Sequence, residues 1–130
     1  NSSLNCFISF NRFFVNLMKD TLYDALLLLQ SFLQYNENLI YMDRVFNEIL
    51  SIISSCDIQN KIECFNVLSI FFGSDDIYYT KLIDNQTQVS LLFSNLEENN
   101  LLIEAALNFA NEVVYSNSQE VLNFIKLSKN

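Results

Sequence analysis

The feature that most restricts the fold of this chain is its lack of helix-breaking residues. Its 130 residues contain no proline and a single glycine, Gly73. Proline and glycine form most of the tight turns that antiparallel sheets require, so a chain nearly free of both favours helices. Hydrophobic residues make up 51% of the sequence, enough for a domain of this length to bury a core. We therefore expect a single all-α domain.

Three segments of the chain carry the same apolar stripe, with the spacing i, i+3, i+4, i+7 that places four side chains on one helical face. A polar break follows each stripe, and a longer apolar segment follows each break. The stripes are Phe10-Phe13-Phe14-Leu17, Phe46-Ile49-Leu50-Ile53 and Val89-Leu92-Phe93-Leu96. The pattern predicts helices near 10–17, 22–34, 45–54, 58–72, 87–97 and 101–115, with short linking helices near 38–42, 76–83 and 120–127.

The polar breaks contain residues suited to start the longer helices. Thr21 or Asp20, Asp57, and Asn99 or Asn100 have side-chain oxygens that can accept the free amides of a first helical turn. Ala25, Cys64 and Ala105 are narrow residues near the starts of these helices, and we expect them to be buried where neighbouring helices approach closely. The Phe-rich segment from Phe7 to Phe14 is expected to belong to the core.

The stripes repeat with a period that is typical of helical repeat proteins. Leu27, Phe65 and Leu107 occupy equivalent places in the longer helices, and they are 38 and 42 residues apart. Armadillo and HEAT repeats have periods of roughly 40–47 residues. The predicted repeats cover residues 1–37, 38–75 and 76–117, and a further helix begins within 118–130. The alternative is an unrelated bundle of six or seven helices.

The stretch from Ile58 to Asn111 resembles armadillo repeats of the importin-α kind, whose third helix reads E-A-A-W-A-L-x-N and is followed by Gly-Ser or Gly-Thr. The matching segments are Glu104-Ala105-Ala106-Leu107-Asn108-Phe109-Ala110-Asn111 and Phe65-Asn66-Val67-Leu68-Ser69-Ile70-Phe71-Phe72-Gly73-Ser74. Lys81-Leu82-Ile83-Asp84 is similar to the family's first helix, which ends in Val-Asp. The resemblance implies a right-handed armadillo/HEAT-type α-solenoid of about three repeats. Because the chain does not begin with Met, it could be a fragment of a longer solenoid.

The resemblance also implies a binding groove along the third helices. In importin-α proteins, Trp rings of these helices stack on the stems of Lys side chains in a nuclear-localisation peptide, and Asn side chains hold the peptide backbone. Here the Trp positions hold Leu27, Phe65 and Leu107, and the Asn positions hold Ser31, Ser69 and Asn111. Asp24, Glu104 and Glu112 fall on or near the same groove, where they would attract Lys or Arg. The implied function is a nuclear-import adaptor that works in the cytoplasm or the nucleus.

The charge of the chain favours the same kind of partner. The net charge is −8 at pH 7, which argues against nucleic acid or an anionic membrane and for a basic protein or peptide. The longest apolar run, Ala25 to Leu29, is far shorter than the roughly 20 residues of a membrane-spanning helix.

The sequence offers little for catalysis or metal binding. It has no His, and its single Gly excludes phosphate-binding loops that need several. Its three cysteines, Cys6, Cys56 and Cys64, lack the paired spacing of zinc ligands, and we expect buried free thiols in a reducing compartment. We therefore predict a protein that is not an enzyme and has no metal or cofactor.

Two other functions stay open at this point. Charged residues are only 17% of the chain, which favours a structural scaffold subunit whose helices are buried in a larger assembly. An unrelated helical groove protein, such as a Bcl-2-like regulator, is the third possibility.

Overall fold

A computed structural model describes residues 2–35, 42–73, 78, 96 and 99–116. All regular secondary structure within these ranges is helical, so the predicted all-α class is confirmed. The five described helices are α1 Ser2–Asp20, α2 Leu22–Phe32, α3 Asp43–Ile52, α4 Ile58–Gly73 and α5 Asn100–Ser116.

The apolar spacing located most of these helices correctly. The helices predicted at 22–34, 45–54, 58–72 and 101–115 agree with α2 to α5 within two residues at each end. The first helix is longer than its predicted range of 10–17 in both directions. The helix predicted at 87–97 and the linking helices at 38–42, 76–83 and 120–127 fall outside the described residues, apart from Met42, Tyr78 and Leu96.

The starts of α4 and α5 depend on side-chain caps. The Asp57 carboxylate accepts the backbone N–H of Asn60 at 2.9 Å, and the Asn99 side-chain oxygen accepts that of Leu102 at 3.0 Å. Both bonds satisfy first-turn amides that have no partner within the helix. Asp57 and Asn99 were predicted as caps, and the prediction is confirmed. Thr21 precedes α2 without a side-chain capping bond, and its hydroxyl donates to the Leu17 carbonyl at 3.4 Å.

Three of the helices, α2, α4 and α5, form a row with α4 in the middle. α4 packs against α2 on one side and most extensively against α5 on the other, while α1 contacts α2 and α3, and α3 contacts α4. One hydrophobic core runs through all five described helices. At its centre the ring of Phe46 lies 5.2 Å from that of Phe71 and 4.8 Å from that of Tyr78. Ala25, Cys64 and Ala105 are buried in this core, as predicted.

The predicted core faces of α1 and α3 have different outcomes. All four residues of the stripe from Phe46 to Ile53 are buried. On α1 the prediction holds for Phe14, and Leu17 is half-buried against the core, but Phe10 and Phe13 are exposed and the buried set is Asn11, Phe14, Val15 and Met18. Asn11 is the polar member of this buried set, and its side-chain oxygen accepts a backbone N–H from the first turn of α3.

Among the described residues, no helix combines the length and the hydrophobicity that a membrane crossing requires.

Candidate functional site

The predicted groove residues of α2 and α5 are exposed, except for Glu112, which is half-buried. On α2 these are Asp24, Leu27 and Ser31, and on α5 they are Glu104, Leu107 and Asn111. In each helix the spacing is i, i+3, i+7, which places the three side chains on one face. Leu27 and Leu107 are 40% and 48% exposed, although leucine is usually a core residue.

The middle helix of the row presents different residues from those predicted. Phe65 is only 1% exposed, and its ring lies 5.8 Å from that of Phe109 on α5. The expectation that Phe65 lines an exposed groove is therefore wrong: α4 lies between two helices, and Phe65 is on the side that packs against α5. Ser69 is half-buried, and its hydroxyl donates to the Phe65 carbonyl at 2.8 Å.

One side of α4 carries the exposed Gln59 and the half-buried Glu63 and Asn66, at the spacing i, i+4, i+7. One carboxylate oxygen of Glu63 accepts the side-chain N–H of Gln30 on α2 at 2.7 Å and that of Asn66 at 3.1 Å. This shared acceptor joins α2 to α4 and fixes the position of the carboxylate. Sequence reasoning missed Glu63 and Asn66, although their polar spacing within an otherwise apolar helix was the available signal.

We call the exposed side of this row the α2–α4–α5 face. Its members are the exposed residues Asp24, Leu27, Ser31, Glu104, Leu107 and Asn111 and the half-buried residues Glu63, Asn66 and Ser69. The three helices contain four acidic residues and one basic residue, Lys61. The face is therefore predominantly negative, with leucine and amide side chains between its carboxylates.

A second candidate surface lies between α1 and α2. It is a groove of about 620 Å³ that we call the aromatic groove, lined by Ser9, Phe10, Phe13, Phe14, Leu28, Ser31 and Phe32. The ring of Phe32 lies 5.0 Å from that of Phe10 and 5.2 Å from that of Phe14. Phe13 is 52% exposed and Leu28 is 45% exposed, so the groove opens to solvent.

The assignment of the Phe-rich segment from Phe7 to Phe14 to the core is only partly right. Phe14 is buried, but Phe10 and Phe13 line the groove. A sequence signal for this surface existed, since the apolar residues of α1 span a wider arc than one helical face can bury. Phe10, Phe13, Phe14 and Val15 together extend over more than half of the helical circumference.

Two of the cysteines are close together. Cys6, Cys56 and Cys64 are free thiols, as predicted, but the expected burial is confirmed only for Cys64, since Cys56 is half-buried and Cys6 is exposed. A hydrogen bond from Cys64 lowers the pKa of the Cys56 thiol against the opposing effect of burial. The same hydrogen bond, together with burial, raises the pKa of Cys64. Cys56 is therefore the thiol of this pair that ionises first.

Within the described ranges, no group of three or more His, Cys, Asp or Glu side chains could hold a metal ion. No protein-family model matches the sequence, and no curated protein or solved structure is significantly similar to it. The two surfaces described above are therefore the basis for assigning a function.

Proposed function

We propose that the chain is a protein-binding helical module of the armadillo type, which binds a basic segment of a partner protein across the α2–α4–α5 face. One observation carries the proposal. The outer two helices of the row expose the same succession of an acid, a leucine and a polar residue: Asp24, Leu27 and Ser31 on α2, and Glu104, Leu107 and Asn111 on α5. A surface that repeats from helix to helix suits a ligand that repeats along its length, such as a peptide.

The carboxylates of this face would attract the Lys or Arg side chains of the peptide. Asp24 and Glu104 are exposed, and Glu63 between them is held by Gln30 and Asn66. A carboxylate that is already oriented loses less conformational entropy when it pairs with an ammonium group. The exposed leucines would cover the aliphatic stems of the same Lys side chains.

An extended peptide also needs partners for its own backbone. Asn111 is exposed, and its amide group can both donate to a peptide carbonyl and accept from a peptide N–H. The Asn66 side chain donates to Glu63, which leaves its carbonyl oxygen as an acceptor on the same face. These amides would set the register of the peptide, whereas the carboxylates would supply attraction.

A titration of a fluorescein-labelled, Lys-rich peptide tests this function. Asn111→Ala should weaken binding by about 1 kcal/mol, roughly fivefold, because one net hydrogen bond is lost. The matched control is Asn47→Ala, since Asn47 is equally an exposed helical amide but lies on α3, outside the row. Equal affinity of all three proteins, or no binding to any of them, would contradict the proposal.

A structural scaffold buried in a larger assembly is the second candidate function. Several large apolar side chains are exposed outside the α2–α4–α5 face, notably Tyr35 at 63% and Leu101 at 66%. Sedimentation velocity over a range of protein concentrations separates the two functions. Self-association that Leu101→Ser abolishes would favour the scaffold, whereas a monomer at all concentrations would favour the peptide-binding module.

A further inference from the structure

We infer that the aromatic groove between α1 and α2 is a separate binding site for an amphipathic helix of a partner protein, one that carries a basic residue near one end of its apolar face. This inference does not depend on peptide binding at the α2–α4–α5 face. The lining of the groove shares Ser31 with that face, and Asp24, a member of the face, also lies beside the groove.

The groove has a fixed floor and open walls. Phe14 is buried in the core, and its ring packs at 5.2 Å against Phe32, so the floor keeps its shape without a ligand. Phe13 and Leu28 form the exposed walls. A volume of about 620 Å³ lies in the range that binding sites commonly have. Because half-exposed Phe and Leu side chains are unfavourable in water, covering them with apolar side chains would stabilise a complex.

The apolar lining of the aromatic groove favours a helical ligand over an extended peptide. Among the described residues of the lining, the polar side chains are those of Ser9 and Ser31. An extended segment placed here would leave most of its backbone N–H and C=O groups without partners, at a considerable cost in free energy. A helix satisfies these groups internally and presents only side chains. Two adjacent helices also form a groove into which the side-chain ridge of a third can pack, with anchors at i, i+3 or i+4, and i+7.

The charges around the groove indicate which amphipathic helix would fit. Asp20 and Asp24 are exposed and flank the junction at Thr21, where α1 ends and α2 begins. Asp20 follows Phe13 by seven residues and Asp24 precedes Leu28 by four, so both lie on the groove side of their helices.

The basic residues of these two helices lie elsewhere. Arg12 and Lys19 are seven residues apart, and although Lys19 is in the last turn of α1, both lie on a side of this helix that carries none of the groove's phenylalanines. The junction end of the groove is therefore acidic, and it complements Lys or Arg at the matching end of the ligand helix.

Fluorescence anisotropy with a designed helical probe tests the site. The probe is a labelled peptide of about 18 residues, or five helical turns, with Leu along one face, Lys near one end of that face, and Gln elsewhere. Phe13→Ala and Leu28→Ala should each weaken binding about tenfold, as expected for apolar anchors of an interface. Both side chains are already half exposed, so truncation should leave the fold intact, which circular dichroism would verify.

Matched controls separate this site from the α2–α4–α5 face. Leu107→Ala removes a side chain that is as exposed as Leu28 but lies on α5, and it should leave the affinity within about twofold of wild type. A peptide with the same composition and scattered leucines should bind about tenfold more weakly, because it has no continuous apolar face. Asp20→Asn should weaken binding about threefold at low salt, in line with an exposed charge pair.

Four results of the binding experiments would overturn the inference. They are equal affinity of wild type and Phe13→Ala, equal affinity for the scattered peptide, loss of binding in Leu107→Ala, and absence of any binding. A dimer of the protein alone that disappears in Phe13→Ala would also overturn it, since the groove would then hold a second copy of the chain. None of these results depends on whether the Lys-rich extended peptide binds.

Discussion

Asn11 on α1 caps the first turn of α3, thirty-four residues further along the chain, because its side-chain oxygen accepts the backbone N–H of Val45 at 3.1 Å. α3 has no cap of its own, since it is preceded by Met42, which makes no side-chain capping bond. The backbone N–H of Met42 is satisfied by a second distant group, the Tyr78 hydroxyl, at 3.2 Å. The start of α3 is thus held by tertiary contacts.

The first prediction concerns this remote cap. Asn11→Ala should lower the free energy of unfolding by about 1–3 kcal/mol, because the buried Val45 amide would lose its only described side-chain acceptor. Urea denaturation followed by circular dichroism measures the change. Asn16→Ala is the matched control, since Asn16 is an exposed Asn in the middle of the same helix, and it should change stability by less than about 0.5 kcal/mol. Equal midpoints for the two variants would show that the cap does not stabilise the fold.

The Asn11 contact also explains what the sequence could not predict about α1. Apolar spacing detects hydrophobic side chains, so it assigned Phe10 and Phe13 to the core and did not identify Asn11 as a buried residue. A buried amide is tolerated only when distant backbone groups satisfy it, and spacing along one helix contains no information about them. The same limit applies to Phe65, whose burial depends on α5. By contrast, Asp57 and Asn99 were predictable as caps because their partners lie three residues away.

The second prediction concerns the close contact between α4 and α5. Ala105 is 4% exposed, and the two helices that meet there form the most extensive helix pair of the described chain. Ala105→Leu should overpack this contact and reduce the free energy of unfolding by about 1–3 kcal/mol. Asn108→Leu introduces the same side chain at an exposed position of α5 and should be close to neutral in thermal melts. A neutral Ala105→Leu would mean that the helices can separate to admit a larger side chain.

The third prediction concerns the reactivity of Cys56. The hydrogen bond from Cys64 lowers its pKa, so the reactive thiolate should form at a lower pH than in an ordinary cysteine. In a Cys6→Ser background, the rate of alkylation of Cys56 by iodoacetamide should rise with pH through this lowered pKa. Cys64→Ala removes the donor and should move the rise to higher pH, whereas Cys64→Ser keeps a donor and should move it less. Identical pH profiles for the Cys6→Ser protein and its two Cys64 variants would show that the hydrogen bond does not control the ionisation of Cys56. Peptide mapping assigns the label to Cys56, because buried Cys64 should react slowly.

The last prediction concerns the strength of peptide binding at the α2–α4–α5 face. Leu27 and Leu107 are exposed at two of the positions where the importin-α resemblance has Trp, and Phe65, at the third, is buried. Cation–π attraction over an exposed aromatic ring is therefore absent from these three positions, and the carboxylates must supply most of the attraction. We expect a dissociation constant of about 10 μM or weaker for a Lys-rich peptide, equivalent to about −7 kcal/mol.

Because exposed charge pairs are screened over about 8–10 Å at physiological salt, the affinity for this peptide should fall as the salt concentration rises. A Glu104→Gln variant should show a shallower salt dependence than wild type in the same titration, since one carboxylate of the face is lost. A salt-independent affinity would exclude the carboxylates as the source of binding and leave the exposed leucines as its basis.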